Sequence, residues 1–184
     1  IDGIQGVFKA PAIRGPGIRA DLAISIALYR RVLKDLDKQL DTIQLRSALE
    51  DLRLPARIEV FPGPPICCLD TAHTPESINS LRQTLEEIDF PQPRALILSL
   101  STDKRREEIL AEAGGIADEI IFTRADETRS VDPQELRDTL GRGRIIEDPR
   151  EALEFSRKNG WNPVIAGSFY LAGALRPCIR NESE

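Results

Sequence analysis

The segment Leu69-Asp70-Thr71-Ala72-His73-Thr74-Pro75 brings an acid, a histidine and a helix start into close succession. Asp70 ends a short apolar run over 66–70, so its carboxylate stands at the end of a buried strand, where it can accept hydrogen bonds from a ribose. His73 is the only histidine. It lies in the loop feeding a helix N-terminus, a location that favours an anion such as a phosphate. Arg57 adds a delocalised cation suited to phosphate oxygens. Each also has a plainer reading: Asp70 as a loop or capping acid, His73 as a solvated loop residue, Arg57 as a surface ion pair of little energetic worth.

Two other patterns lead elsewhere. Gly15-Pro16-Gly17-Ile18-Arg19-Ala20 satisfies G-x-G-x-x-A before a helix, but a dinucleotide loop needs a hydrophobic strand running directly into it and an acid closing the next strand. Here Pro11 breaks the lead-in, and Asp35, Asp37 and Asp41 fall on or just after a helix. The cysteines are Cys67, Cys68 and Cys178, with no C-x-x-C. Adjacent residues on a strand point to opposite faces, and one histidine cannot complete a metal site with them. They read as small buried residues in a reducing cytosol, and no metal site is expected in this chain.

The elements that would position these residues alternate. After a Gly- and Pro-rich lead-in over 1–20, Leu22, Ile26, Tyr29, Leu33, Leu36 and Leu40 mark one face of a helix beginning near Asp21. Thr42 is placed to cap a second helix through Leu52. Beyond Leu54-Pro55 strands at 66–70, 95–100, 119–123, 144–146 and 164–167 are interleaved with helices. Those helices open on Thr74-Pro75, near Lys104, on Asp132-Pro133-x-Glu135, on Asp148-Pro149-x-Glu151 and on Ser168. Pro at the first helical position behind a capping acid or hydroxyl is a helix-start signature, and Glu135 adds the far arm of a capping box. The reading is an α/β fold, a Rossmann-like, mainly parallel sheet with helices on both faces. Ligands of such sheets lie beyond the C-terminal strand ends, which selects the loops 70–74, 101–104 and 123–129, and Ser168.

Bulk properties narrow the function classes. The 184 residues carry a net charge of −5, with 41% apolar and 30% charged residues. No basic surplus suggests nucleic acid or an acidic membrane as partner, and no apolar run approaches the roughly 20 residues of a transmembrane helix. The chain begins at Ile1 and has no Met, which suggests a piece of a longer protein.

The ordered set of motifs resembles the C-terminal part of folylpolyglutamate and dihydrofolate synthases, ATP-dependent ligases of the Mur ligase superfamily. Leu54-Pro55-Ala56-Arg57-Ile58-Glu59 is similar to the family's W-P-G-R-x-E, and Asp70-Thr71-Ala72-His73-Thr74-Pro75 to its D-G-A-H-N-P. Residues 98–104 resemble its strand and Asp-Lys loop, and the stretch from Phe122-Thr123-Arg124 to Arg129-Ser130 its next loop. Ala166-Gly167-Ser168-Phe169-Tyr170-Leu171-Ala172-Gly173 is similar to its closing G-S-x-Y-x-x-G. Residues 15–27 fall where the family carries G-x-H-Q-x-x-N before an Ala-rich helix.

The resemblance implies residues 1–53 as the end of a central ATPase domain and 54–184 as a C-terminal α/β domain of Mur ligase type. It implies Arg57, Asp70 and Asp21 at the nucleotide, with Arg57 at the phosphates and Asp70 at the ribose. It puts the catalytic His73 near the transferring phosphate, and Ser101, Lys104, Arg129 and Ser168 toward substrate. Ser168, Lys104 and Arg129 have plain alternatives as a helix cap, an exposed helix start and an ordinary loop arginine. The implied partners are ATP with Mg²⁺, L-glutamate and a folate or dihydropteroate, joined through an acyl phosphate in a cytoplasmic, monomeric enzyme. The magnesium ligands and the phosphate-cradling loop belong to the central domain. No G-x-x-x-x-G-K-[ST] occurs in this chain, so it is expected not to hydrolyse ATP alone.

The pattern departs from the family at specific places. Asp21 replaces an Asn, Gly17-Ile18 a His-Gln pair, Leu54 and Ala56 the Trp and Gly, and Thr71 and Thr74 the loop Gly and Asn. Thr71 adds a β-branched side chain where Gly permits unusual dihedrals. A non-catalytic binding relative, or a Mur ligase of cell-wall synthesis, are therefore the alternative readings.

Overall fold

The computed structural model describes residues 10, 12–102 and 105–181. Two compact units divide the chain, Ile1–Pro55 and Ala56–Glu184.

In the first unit α1 spans Pro16–Asp35 and α2 spans Thr42–Asp51. The α1 helix begins five residues before the expected Asp21 because Pro16 occupies its first position. Gly15, with φ 82°, turns the chain into it. The same helix stops at Asp35, short of Leu40. Asp41, not Thr42, caps α2: its Oδ1 accepts the N–H groups of Ile43 at 2.9 Å and Gln44 at 3.0 Å. A carboxylate can take two orphan donors of the first turn at once. Leu49 is buried in α2, whereas no residue of α1 is.

The second unit is built on a six-stranded sheet. Its strands are β1 (Glu59–Phe61), β2 (Cys67–Leu69), β3 (Arg94–Leu98), β4 (Glu119–Phe122), β5 (Arg144–Ile145) and β6 (Asn162–Ala166). They lie in the order β1-β2-β6-β3-β4-β5, with β1 antiparallel to β2 and every other pair parallel. This is the mainly parallel α/β sheet expected, with β1 an additional edge strand that its short, mixed sequence did not announce. The helices are α3 (Pro75–Glu87), α4 (Arg106–Ala113), α5 (Pro133–Leu140), α6 (Pro149–Lys158) and α7 (Phe169–Asn181).

Strand alternation divides the core. Cys67, Leu69, Ala95, Ile97, Ile121 and Ile165 pack with Ala152 and Leu153 of α6 and with Leu171, Ala172, Leu175 and Ile179 of α7. Their neighbours Cys68, Leu96, Leu98, Ile120, Phe122 and Val164 are also fully buried, and by the two-residue period they face the other side. Burial on both faces is why these strands are continuous apolar runs. None of the three cysteines forms a disulfide, and Cys67 and Cys68 are buried.

The helix starts follow the capping residues. Thr74 and Ser77 form a reciprocal box on α3, and the carboxylates of Asp132 and Asp148 accept from the first turns of α5 and α6. The capping box expected at α5 is only half made. Glu135 instead accepts a 2.7 Å hydrogen bond from Arg106 Nη1 of α4, because a cation in reach is a stronger donor than the cap amide.

Candidate functional site

The last strand, β6, enters between β2 and β3. The chain therefore reverses direction across the sheet there, and the loops after these strands open a crevice at their C-terminal ends. A cavity of about 380 Å³ occupies it, lined by His73, Ser101, Thr102, Arg129, Gly167, Ser168, Phe169 and Tyr170. Four loops contribute, those following β2, β3, β4 and β6.

His73 is fixed by the backbone around it. Its Nδ1 lies 2.7 Å from Thr71 O. A carbonyl can only accept, so Nδ1 carries the proton and Nε2 is left for a ligand. Its own N–H donates to Ser77 Oγ at 2.9 Å, and its ring meets Phe169 with centroids 5.5 Å apart and planes at 54°. Thr71, despite its branched side chain, is not among the residues with positive φ. The loop thus needs no glycine there, although Thr71 Oγ1 is buried without a hydrogen-bond partner among the described residues.

Arg129 arrives on a braced turn. Asp126 Oδ1 accepts the N–H groups of Thr128 at 3.0 Å and Arg129 at 2.8 Å, and these bonds hold the Asp126 carboxyl below its ordinary value. Residues 100–102 then pair with 129–131: Thr102 N–H donates to Arg129 O at 3.1 Å, and Val131 N–H to Leu100 O at 2.8 Å. The Arg129 guanidinium carbon lies 5.4 Å from the Tyr170 ring centroid, and that of Arg57 lies 5.7 Å from the Phe169 centroid.

Ser168 Oγ accepts the Leu171 N–H at 3.1 Å, so the helix-cap reading describes its contact within the chain, while the same residue lines the cavity. Asp70 departs from its expected exposure to a ribose. It is only 5% exposed, and its two oxygens accept the N–H groups of Ile58 at 2.8 Å and Ala72 at 2.6 Å. Burial raises its pKa, against the lowering effect of those two amides and of the charges on Arg57 and His73.

Of the expected site residues, His73, Ser101, Arg129 and Ser168 come together around the cavity, and Arg57 joins them through Phe169. Asp21 lies exposed on α1, in the first unit. Lys104 lies outside the described residues. Sequence reasoning did not single out Phe169, Tyr170 or Thr102. The signal for the first two was an adjacent aromatic pair directly after a Gly-Ser helix start, an uneconomical place for two large rings unless they meet something. Phe169 is 58% and Tyr170 41% exposed. Among the described residues no group of three or more His, Cys, Asp or Glu could hold a metal ion, and no helix is long and apolar enough to cross a membrane.

Comparison with known proteins agrees with this architecture. The chain is 28% identical to folylpolyglutamate synthase of Lacticaseibacillus casei, over 97% of its own length and 42% of the relative's. It is 31% identical to dihydrofolate synthase/folylpolyglutamate synthase of Mycobacterium tuberculosis, over 76% of this chain and 33% of that one. It therefore spans well under half the length of the curated relatives it matches. Among solved structures, M. tuberculosis folylpolyglutamate synthase complexed with ADP and AMPPCP superposes with a TM-score of 0.80 at 25% identity, covering 91% of this chain and 41% of the other. Escherichia coli FolC shares the fold with a TM-score of 0.78 at 18% identity, covering 96% and 42%. Residues 56–165 match the family described as Mur ligase, glutamate ligase domain, and the chain belongs to the Mur ligase family.

Proposed function

We propose that this chain supplies one wall of the active site of an ATP-dependent ligase that joins L-glutamate to a folate or dihydropteroate. The observation that carries the reading is the convergence of His73 and Arg129 on one cavity, with Arg57 alongside, at the C-terminal sheet edge of a glutamate ligase domain. A cavity lined by Arg129, His73 and half-exposed aromatic rings, with Arg57 over one of those rings, suits anionic groups, here a nucleotide phosphate and the carboxylates of glutamate. The curated relatives are named for this reaction, and one solved relative was crystallised with ADP and AMPPCP.

In the reaction proposed, the terminal phosphate of ATP passes to the substrate carboxylate, giving ADP and an acyl phosphate. The amine of glutamate attacks the acyl carbon, and phosphate leaves as the amide forms. Arg57 meets the phosphates, and His73 presents Nε2 near the transferring group. Arg129 and the Ser101 and Ser168 loops orient glutamate. Their contribution is charge neutralisation and positioning in a site shielded from water. Mg²⁺ would neutralise charge on the phosphates, and its ligands are expected outside this chain, as is the phosphate-cradling loop.

The test is ATP-dependent incorporation of labelled glutamate into folate and dihydropteroate by the intact protein. Replacing His73 with Ala is expected to lower turnover by about 100-fold or more, the scale of losing one preorganised polar group at a developing charge. Turnover equal to wild type would sink the assignment. Nucleotide binding with no glutamate incorporation by the wild type would favour a non-catalytic relative.

A further inference from the structure

Arg57 stands between two residues in left-handed backbone conformation, Ala56 with φ 54° and Ile58 with φ 47°. Residues with a Cβ enter this region at an energetic cost, and a β-branched residue is a true outlier there. Such geometry persists only where the surroundings over-determine it.

Two carboxylates do so here. The Ala56 N–H donates to Glu59 Oε2 at 2.8 Å and the Ile58 N–H to Asp70 Oδ2 at 2.8 Å. Both amides flanking the arginine are thereby clamped. Ala56 O closes the turn by accepting the Thr71 N–H at 3.1 Å. Each carboxylate is anchored in turn. Asp70 Oδ1 accepts from Ala72, at the base of the His73 loop, at 2.6 Å. Glu59 receives a two-pronged contact from Arg176 of α7, Nε to Oε2 and Nη2 to Oε1, both at 2.8 Å. The fork geometry fixes the carboxylate plane as a single contact would not.

We propose that Glu59, Asp70 and Arg176 are positioning residues, which act through the strained 56–58 turn to aim Arg57 over Phe169 toward the phosphate-bearing ligand. The inference rests on the reading of Arg57 given above. It also assigns Asp70 a task other than the ribose contact expected of it: its carboxylate joins the Arg57 turn to the His73 loop. Arg176 enters the site's function without touching it, since α7 carries Phe169 at one end and, about two turns on, the arginine that steadies the turn opposite.

The test is a double-mutant cycle in the intact protein, read as KM for ATP. Glu59→Gln and Arg176→Ala are each expected to raise KM about tenfold with little change in kcat, and Arg176→Lys, which keeps the charge but not the fork, to recover only part of it. In an Arg57→Ala background, Glu59→Gln should add less than about twofold, because its effect runs through the arginine. Effects that multiply in that background overturn the positioning role and leave the reading of Arg57 standing. An Arg57→Ala protein with unchanged KM for ATP overturns the reading of Arg57 and this inference with it. Amide hydrogen exchange gives a second readout that needs no turnover. The Ala56 and Ile58 amides should exchange about tenfold faster in Glu59→Gln while the β3 and β6 amides keep their rates. Unchanged exchange at 56 and 58 overturns the proposal.

Discussion

Gly167 packs its backbone against the carbonyl of Ser99 where β6 and β3 end side by side, with φ at 107°. A Cβ at this position would press into that carbonyl oxygen and come within 2.8 Å of Leu98 Cδ1. The Gly167 N–H meanwhile donates to Ala72 O at 2.7 Å, so one residue joins the β3, β6 and His73 loops at the floor of the cavity. Gly167→Ala should therefore cost about 3 kcal/mol, combining the left-handed dihedral with overpacking. Urea denaturation measures this. A cost below about 0.5 kcal/mol, ordinary for a surface substitution, would mean that the close approach is not as described.

Phe169 touches the site from two sides, through the His73 ring and under the Arg57 guanidinium. Phe169→Leu keeps an apolar side chain but removes the ring face. The expected result is a rise of about fivefold in KM for the anionic ligand, equivalent to one exposed cation–aromatic contact of about 1 kcal/mol, with stability nearly unchanged. Tyr170→Leu should act likewise through Arg129. Equal KM values in both variants would show that the rings are bystanders.

Much of this architecture could be read from residue types because burial wrote it plainly. Residues 95–98, 120–122 and 164–166 are fully buried, so they are apolar without interruption. Thr74, Asp132 and Asp148 each precede a proline at a helix start. The misses share a cause, dependence on partners distant in sequence. The Arg57 turn holds Ala56 and Ile58 in dihedrals their types disfavour, and the Ile58 amide is taken by Asp70 from twelve residues away. At Asp70, a strand-end carboxylate gave no sign that two backbone amides would also claim it. Glu135 satisfied the spacing of a capping box, yet pairs with Arg106 on another helix. The aromatic pair at 169 and 170 was visible as residue types, but not its exposure.

Glu59 and Asp70 should respond to pH with opposite signs. Burial pushes Glu59 upward, but the Arg176 fork, the Ala56 amide and the charge of Arg180 outweigh it and hold the carboxyl below its ordinary 4.5. Between its folded and unfolded pKa values the unfolded chain binds more protons, so the stabilisation is complete above 4.5 and is lost as pH falls through the depressed folded value. For Asp70 burial wins and the pKa rises above 3.8, so the folded chain binds more protons and its contribution becomes more favourable as pH falls. In denaturation series run from neutral pH to the acid limb, the stability gap between wild type and Glu59→Gln should narrow. The gap between wild type and Asp70→Asn should widen in favour of wild type. Parallel trends in the two pairs would contradict these opposite electrostatic environments.

Ser77 should matter more than the residue that formally caps its helix. Ordinarily the N-cap side chain dominates a capping box, and its replacement by Ala costs about 1 kcal/mol. On α3, Thr74 Oγ1 accepts the Ser77 N–H at 3.2 Å. Ser77 Oγ accepts the N–H groups of both Thr74 and His73 at 2.9 Å and donates to Thr74 O at 2.9 Å. Thr74→Ala thus orphans one backbone donor, whereas Ser77→Ala orphans two, one of them belonging to the residue that presents Nε2 to the cavity. Ser77→Ala is expected to cost about 2 kcal/mol against about 1 for Thr74→Ala. It should also lower turnover of the intact protein, because the His73 backbone loses one of the contacts that hold its loop. If Thr74→Ala proves the costlier change, the hydroxyl of Ser77 is not the acceptor that holds the His73 loop.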